Sequence, residues 1–578
     1  MPTVALHGAT RWHVADDAAA CRRVLVVRCC RAQQFVDAVR AARERYPAAT
    51  ITALTHAGHD ETMRAAGVDR VVVAGGRRFG VLRISPWTIA RLRAQRFDVA
   101  IIPQMDAERE DHANLYRLVA AVGARHVVVL PGSDEPLMFE RRDFRHCAFW
   151  SSCTERWDAL VLLGLLLAAC LRRRRTPLAA AGGARRRVLH IISSLGVGGA
   201  QVQLMQLLER TPADRYDVDL LVLGAADGDF SRTALTRSDI HLSYLDEWPR
   251  LPHSVREVML RCHAGRYDLV HTWLFFGNVI GAAGARLAGV PLVISSVRNL
   301  SVWKREGWYR RWWWRTADGL ASWAADVITV NARALVADHA RWARVPRRRI
   351  EVIHNGLDPA RLAFDRGDGR MSLQHATGAS PGAVFVGTVG RLAHEKDQAT
   401  FLRMLAEVRA RRPDVHGVII GGGELRTPLE RLANDLGLGG GVSFLGERPD
   451  ARRLAAGFDM FVLTSRSEGF PNVLLEATLM GVPCLATDIA GNPDVLERAE
   501  SLFPAGDVYR GVERVLAALG DVPRTRRRTA EVRERALRMF TADRSVNAWL
   551  ELYRRHEDTR VHHTIATAVE LVEAEGTR

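Results

Sequence analysis

Glu468 and Glu476 frame the string EGFPNVLLE, two carboxylates with seven residues between them. Pro471 suits a first helical turn, where a backbone N–H would have had no partner, and Val473-Leu474-Leu475 then opens an apolar face. Glu468 is therefore expected just ahead of a helix N-terminus, and Glu476 about a turn inside it. The free N–H groups of that first turn, reached past the side-chain-free Gly469 in the segment Gly469-Phe470-Pro471-Asn472, form a site for phosphate oxygens. A carboxylate at each end accepts hydrogen bonds from hydroxyls, which phosphate lacks. A sugar joined through phosphates to a second hydroxylated group, such as a nucleotide ribose, satisfies both halves.

Two glutamates at this spacing also arise in a plain solvated helix start, and the flanks decide between the readings. Residues 458–465, FDMFVLTS, read as a short buried strand, and residues 481–488, GVPCLATD, as another. Ligands of a parallel sheet lie at the carboxyl ends of its strands, where Glu468 falls.

Other residues point to the same kind of edge. Arg391 and Lys396 follow the strand VFVGTV and a glycine turn, where two cations could neutralise a diphosphate leaving group; as surface charges they would be ordinary. Gly196, Gly198 and Gly199 lie between the strand VLHII and a helix expected from about Ala200, a turn that lets backbone approach a ligand, although such turns also serve only packing. His271 is expected near the end of the strand YDLVHTW, as a catalytic group or as a satisfied core histidine, and Arg298 adds a cation after VISSV.

These groups need sheets to hold them. The chain has 578 residues, enough for three or four domains, and a net charge of +16 that favours anionic partners. Nucleic acid is excluded as the expected partner, because no helix-turn-helix, RNP string or zinc-finger spacing accompanies the charge. Eight cysteines without a C-x-x-C pair indicate neither a disulfide framework nor zinc, and the N-terminus lacks the basic start and apolar run of a secretory signal. A cytoplasmic setting is expected.

Residues 1–150 read as an extra Rossmann-like α/β domain with strands near 24–27, 50–54, 70–73, 99–102 and 126–130. The first βα turn there, VRCCRAQQ, lacks the glycines of a dinucleotide fingerprint, so no cofactor is assigned. Residues 151–186 comprise an apolar helix, an arginine run and a linker. The run at 159–171, ALVLLGLLLAACL, has three open fates: a core helix, an in-plane membrane anchor or a short span. Between Trp303 and Trp323 tryptophan and arginine interleave, which suits an anionic lipid surface, stacking on sugar rings or bases, or simple helix packing. A possible anionic membrane surface is thus assigned to Trp303–Trp323 and to 159–175.

Residues about 187–555 resemble the family-4 retaining glycosyltransferases of GT-B fold. The resemblance rests on SSLGVGGAQ, VIHNGLD, VGRLAHEKD, IIGGGEL, VSFLGER, FVLTSRSEGFPNVLLEA, GVPCLATDIAGNPDV and MFTADRSVNAWLELYRR. It leaves the N-terminal third outside. It implies an acceptor-side domain at 187–365, a nucleotide-sugar donor domain at 366–555 and a tail at 556–578, with both Rossmann-like domains facing a cleft.

The resemblance further implies a nucleotide-diphosphate-sugar donor, UDP- or GDP-linked, with no metal or other cofactor. Arg391 and Lys396 would bind the diphosphate, Glu468 the sugar hydroxyls, the backbone from Gly469 to Asn472 the sugar and phosphate, and Glu476 the ribose. His271 matches a histidine near the acceptor-side face of the donor sugar, and Gly198 and Gly199 match the glycine turn at the cleft. The implied reaction is hexosyl transfer with retention to a lipid-linked or surface-polysaccharide acceptor, by a protein peripheral on the inner face of the cell membrane. A sugar-nucleotide epimerase, a glucan synthase of the same fold and a non-catalytic glycan-assembly subunit are the alternatives. Gln201 stands where an acidic residue is common in the glycine loop, Asp494 takes the place of the family's usual acidic residue, and the following segment LERAESLFPAGD is short.

Overall fold

The computed structural model describes residues 9–11, 21–27, 32–56, 66–74, 85–103, 112–130, 137–172, 185–196, 198–224, 237–245, 251–301 and 312–556. The chain forms two compact units, Met1–Val161 and Leu162–Arg578.

In the first unit, the expected valine-rich segments form parallel strands in the spatial order His126–Leu130, Val99–Pro103, Arg23–Val27, Thr50–His56, Arg70–Ala74. The continuous apolar sequence of the inner strands Arg23–Val27 and Val99–Pro103 matches burial on both faces, whereas Val73 on the edge strand is exposed. Two short strands that the sequence did not announce, Leu137–Glu140 and Ala9–Arg11, extend the His126–Leu130 edge in antiparallel fashion.

The second unit holds two all-parallel sheets. The spatial order of the larger is His241–Tyr244, Tyr216–Val222, Arg186–Ile192, Leu269–Trp273, Leu292–Val297, Val327–Val330, Ile350–Val352. The other runs Val442–Gly446, Val415–Ile420, Val384–Val389, Met460–Leu463, Cys484–Thr487, Leu502–Phe503. Each begins 3-2-1-4-5-6 in its own strand sequence, so the order reverses beside the first strand and opens a crevice at the carboxyl edge there. That crevice lies between Arg186–Ile192 and Leu269–Trp273 in one sheet, and between Val384–Val389 and Met460–Leu463 in the other.

The chain crosses between these sheets twice. The first crossing passes through residues 353–357. At the second, Leu357 bridges Thr541 in parallel, and the helix at 542–556 returns to the first of these sheets, where Val546, Trp549, Leu552 and Tyr553 join the core of Val188, Leu204, Tyr216 and Ile294. Residues 541–556 therefore pack with the 187–365 sheet although they follow the donor sheet in sequence.

The apolar segment at 159–171 is the end of a longer helix, Arg141–Leu171, whose polar first half hid its start. Leu162 and Leu166 enter a core with Leu189, Val270 and Ile280, and Ala169 is buried as well. Leu167 and Leu171 are exposed on the other side. Among the described residues no helix is long and apolar enough to cross a membrane. The arginines at 173–175 and the linker at 176–183 lie outside the described residues, as does the tail from 557.

Of the segment Trp303–Trp323, residues 303–311 lie outside the described residues, and the rest belongs to the helix Trp312–Ala324. Trp314 is buried with Trp313 stacked on it, whereas Trp312 is 70% exposed and Trp323 lies under the Arg349 guanidinium. The helix thus packs through one tryptophan and presents another to solvent.

Candidate active site

The carboxyl edges of the two sheets in the second unit meet. After Met460–Leu463 the chain turns through Thr464 and Ser465 to Glu468 and enters the helix Asn472–Leu479, with Pro471 as its N-cap rather than its first residue. Leu474, Leu475 and Ala477 bury the helix's inner face, as the sequence pattern requires. Pro471 supplies no side-chain cap, so N–H groups of the first turn remain for a ligand.

Lys396 ends a single turn, His394–Lys396, after the strand Val384–Val389. Its Nζ donates to Glu468 Oε1 at 2.6 Å, and Ser465 Oγ donates to the same oxygen at 2.7 Å. Glu468 is only 7% exposed. The two loops are stitched by further bonds: Thr464 Oγ1 donates to the Asp397 carbonyl at 2.9 Å, and Arg466 Nε to Asp397 Oδ2 at 2.6 Å. Arg391, on the same loop as Lys396, is exposed and paired with Glu395.

Glu476 is a turn further in, but its Oε1 is occupied by Arg452, whose Nη2 lies at 2.8 Å and Nε at 3.1 Å. Burial pushes the Glu476 carboxyl above its usual range, and Arg452 partly restrains that rise. Arg452 was not legible as a site residue, because nothing in the string PDARRLAAG distinguishes it from its neighbour Arg453.

The opposite side of the cleft comes from the larger sheet. Gly198 caps the helix Gly199–Arg210 without a side chain, and Gln201, in place of the common acidic residue, folds back on that turn with Nε2 donating to the Ser194 carbonyl at 3.2 Å. Gly199 faces the donor loop: Asn472 Nδ2 donates to its carbonyl at 3.4 Å, and a Cβ on Gly199 would lie 3.2 Å from that nitrogen. Gly469 rests on the Arg298 carbonyl so closely that any side chain would collide with it. Asn355, in the crossing between the sheets, donates to Asn472 Oδ1 at 2.7 Å and to the Phe470 carbonyl at 3.1 Å. Phe470 itself turns into the core against His354 and Phe540. Asp494 joins the sheets elsewhere, accepting from the Arg333 N–H at 2.8 Å and lying 3.2 Å from His354 Nε2.

His271 sits near the end of its strand, as expected, and in the arrangement of a satisfied core histidine. The strand ends at Trp273, and the His271 ring is fully buried beneath the edge, with Nδ1 2.7 Å from Tyr553 Oη and Nε2 2.8 Å from Ser296 Oγ. Burial, and then the charges of His190 and Arg298, hold its pKa well below the ordinary 6.5. The returning helix that carries Tyr553 covers this ring, a long-range contact that local sequence does not reveal.

The structure thus brings Lys396, Glu468, Gly469, Asn472, Gly198 and Gly199 together at one crevice. It sets Arg391 and Glu476 nearby with partners of their own, and places His271 below. Cations, free helix N–H groups and carboxylates side by side suit a ligand that is both polyanionic and polyhydroxylated.

Residues 197–361 match a family model described as Glycosyltransferase Family 4, and residues 383–521 one described as Glycosyl transferases group 1. Similar curated proteins include the putative glycosyltransferase EpsF of Bacillus subtilis, 29% identical over 315 residues, or 52% of this chain and 79% of that protein. The GDP-mannose-dependent alpha-(1-6)-phosphatidylinositol monomannoside mannosyltransferase of Mycolicibacterium smegmatis is 31% identical over 280 residues, 46% of this chain and 70% of that protein. Among solved structures, that of Anabaena Alr3699/HepE in complex with UDP matches with a TM-score of 0.56 at 23% identity, over 64% of this chain and 100% of that one. At that identity the structural match bears on fold alone.

Proposed function

The chain belongs to the family-4 glycosyltransferases, the group 1 enzymes, and has the GT-B fold; from that premise we propose that it transfers a hexosyl unit, with retention at the anomeric carbon, from a UDP- or GDP-linked sugar to a lipid-linked or surface-polysaccharide acceptor. The observation that carries this reading is the contact of Lys396 with Glu468 at 2.6 Å beside the N-terminus of the helix Asn472–Leu479. A cation and free N–H groups there meet the diphosphate, while the adjacent carboxylate accepts from the sugar hydroxyls. As the glycosidic bond breaks, negative charge grows on the departing phosphate, and Lys396 and Arg391 offset it. That phosphate assists removal of the acceptor hydroxyl's proton on the face it leaves. Glu476, shared with Arg452, takes the ribose.

Support for a lipid-linked acceptor comes from the mycobacterial relative, named for action on a phosphatidylinositol mannoside. The surface is consistent with a peripheral position on the inner face of a membrane. Leu167 and Leu171 stand exposed, Arg172 follows them, and Cys170 Sγ contacts the Leu320 carbonyl at 3.2 Å, bringing the helix that carries Trp312 alongside.

The test is incubation of the protein with a panel of nucleotide sugars and membrane lipid extract, following nucleotide release and the product's anomeric configuration. Release from one donor only when lipid is present, with retained configuration, is expected. Inversion of a ring centre in a free donor would instead make the protein an epimerase.

A further inference from the structure

Arg298 lies beyond the strand Leu292–Val297, at the edge where the two sheets meet. It is 6% exposed, and its guanidinium carbon sits 5.2 Å from the centroid of the Trp273 ring. Its Nη2 donates to Asn355 Oδ1 at 2.6 Å, but Nε and Nη1 are buried without a hydrogen-bond partner. Among the described residues no carboxylate lies within ion-pair distance of it. The cost of that isolation shows in its pKa, which burial lowers to about 9. A buried cation without a counterion is strongly disfavoured unless something supplies the missing charge.

The surroundings indicate what supplies it. Asn355, which accepts from Arg298, donates to Asn472 Oδ1, and Asn472 donates in turn to the Gly199 carbonyl. Arg298 is therefore linked through two carboxamides to the first residues of two helices, Gly199–Arg210 and Asn472–Leu479, neither of which has a side-chain cap. Two sets of free N–H groups and a guanidinium with donors to spare meet from opposite sheets. Oxygen anions of the phosphate type fit such a set of donors.

We propose that Arg298 binds a phosphate oxyanion of the substrates, as a cation contributed to the transfer site from the sheet opposite Lys396. The oxyanion belongs either to the donor's diphosphate or to a phosphate of the lipid-linked acceptor. The inference rests on the reading of the protein as a glycosyltransferase of phosphate-bearing substrates. Because Arg298 and Lys396 sit on different sheets, one anion held by both would draw the cleft together.

The experiment uses the full chain with Arg298→Gln, whose amide can still donate to Asn355, and Arg298→Lys, which keeps the charge. Binding of inorganic pyrophosphate, UDP and GDP is measured by calorimetry, and acceptor KM by nucleotide release with lipid extract. Arg298→Gln is expected to weaken pyrophosphate and the preferred nucleoside diphosphate about tenfold or more, and Arg298→Lys much less. Unchanged pyrophosphate binding with a tenfold rise in acceptor KM would assign the oxyanion to the acceptor and still support the site. Unchanged ligand binding and acceptor KM in a folded Arg298→Gln protein overturns the proposal. So does failure of both variants to fold, since that would make the guanidinium a prop of the fold. Wild-type turnover of a donor tests the glycosyltransferase reading separately, so that reading can stand while the role of Arg298 falls.

Discussion

Lys396 Nζ lies 2.6 Å from Glu468 Oε1, so the cation assigned to the diphosphate and the carboxylate assigned to the sugar hold one another. The pair is well shielded, with the carboxylate almost wholly buried and the ammonium partly so. Each partner therefore fixes the other's position before any ligand adds its own bonds.

Lys396→Met leaves the Glu468 carboxylate buried with only the Ser465 hydroxyl for company, a loss of about 3 kcal/mol of stability. Adding Glu468→Gln removes the stranded charge and should recover most of it. Turnover should fall at least a hundredfold in both variants, because the leaving group loses its cation in each. Thermal denaturation alongside nucleotide release checks this; wild-type turnover in either variant would mean that the donor lies elsewhere.

Glu476 titrates above the ordinary carboxyl value of 4.5 because it is buried, with Arg452 opposing the rise. As pH falls through that raised value the carboxyl takes up a proton, releasing Arg452 and becoming a weaker, uncharged acceptor for a ribose hydroxyl. Donor KM should therefore climb on acidification while kcat changes little. Arg452→Ala removes the restraint and should shift the climb to higher pH, and steady-state kinetics across mildly acidic to neutral pH would show it.

His190 and His271 are buried and neutral; burial lowers His190 from 6.5 to about 3 and His271 well below 6.5. Below 6.5 the unfolded chain binds protons that these rings refuse, so stability is fully present above that value and lost as pH falls toward the folded values. The expected loss is about 1.4 kcal/mol per pH unit for each ring. Melting temperatures of the wild type at neutral and mildly acidic pH should show it, with a shallower dependence in His271→Gln.

Leu167→Glu with Leu171→Glu places charge on an exposed apolar stripe without touching Leu162 or Leu166 in the core. Binding to vesicles with about a third anionic lipid should drop tenfold or more, while melting temperature holds. Equal co-sedimentation of variant and wild type would remove this helix from any membrane contact.

Much of this was readable from local pattern. The runs around Val24, Val188, Val384 and Phe461 are apolar enough to be strands buried on both faces, and the glycine turn and the EGFPNVLLE loop fall at their carboxyl ends. What stayed hidden depends on distant residues meeting. Arg452 finds Glu476 across 24 residues, Gly469 finds Arg298 across the gap between sheets, and Tyr553 reaches His271 from 282 residues away. The start of the helix Arg141–Leu171 was masked by a polar first half, and Ala9–Arg11 is too short a strand to show a period.

The double crossing at Leu357 and Thr541 has a mechanical meaning. Leu357 N–H donates to the Phe540 carbonyl at 3.0 Å, and Ala542 N–H donates to the Leu357 carbonyl at 2.9 Å, so the two connectors are bolted side by side. Paired connectors behave as a door hinge and not as a tether: they permit swinging about one line and resist sliding or twisting. The loops on either leaf are thereby held in register, and Gly199 meets Asn472 across the gap.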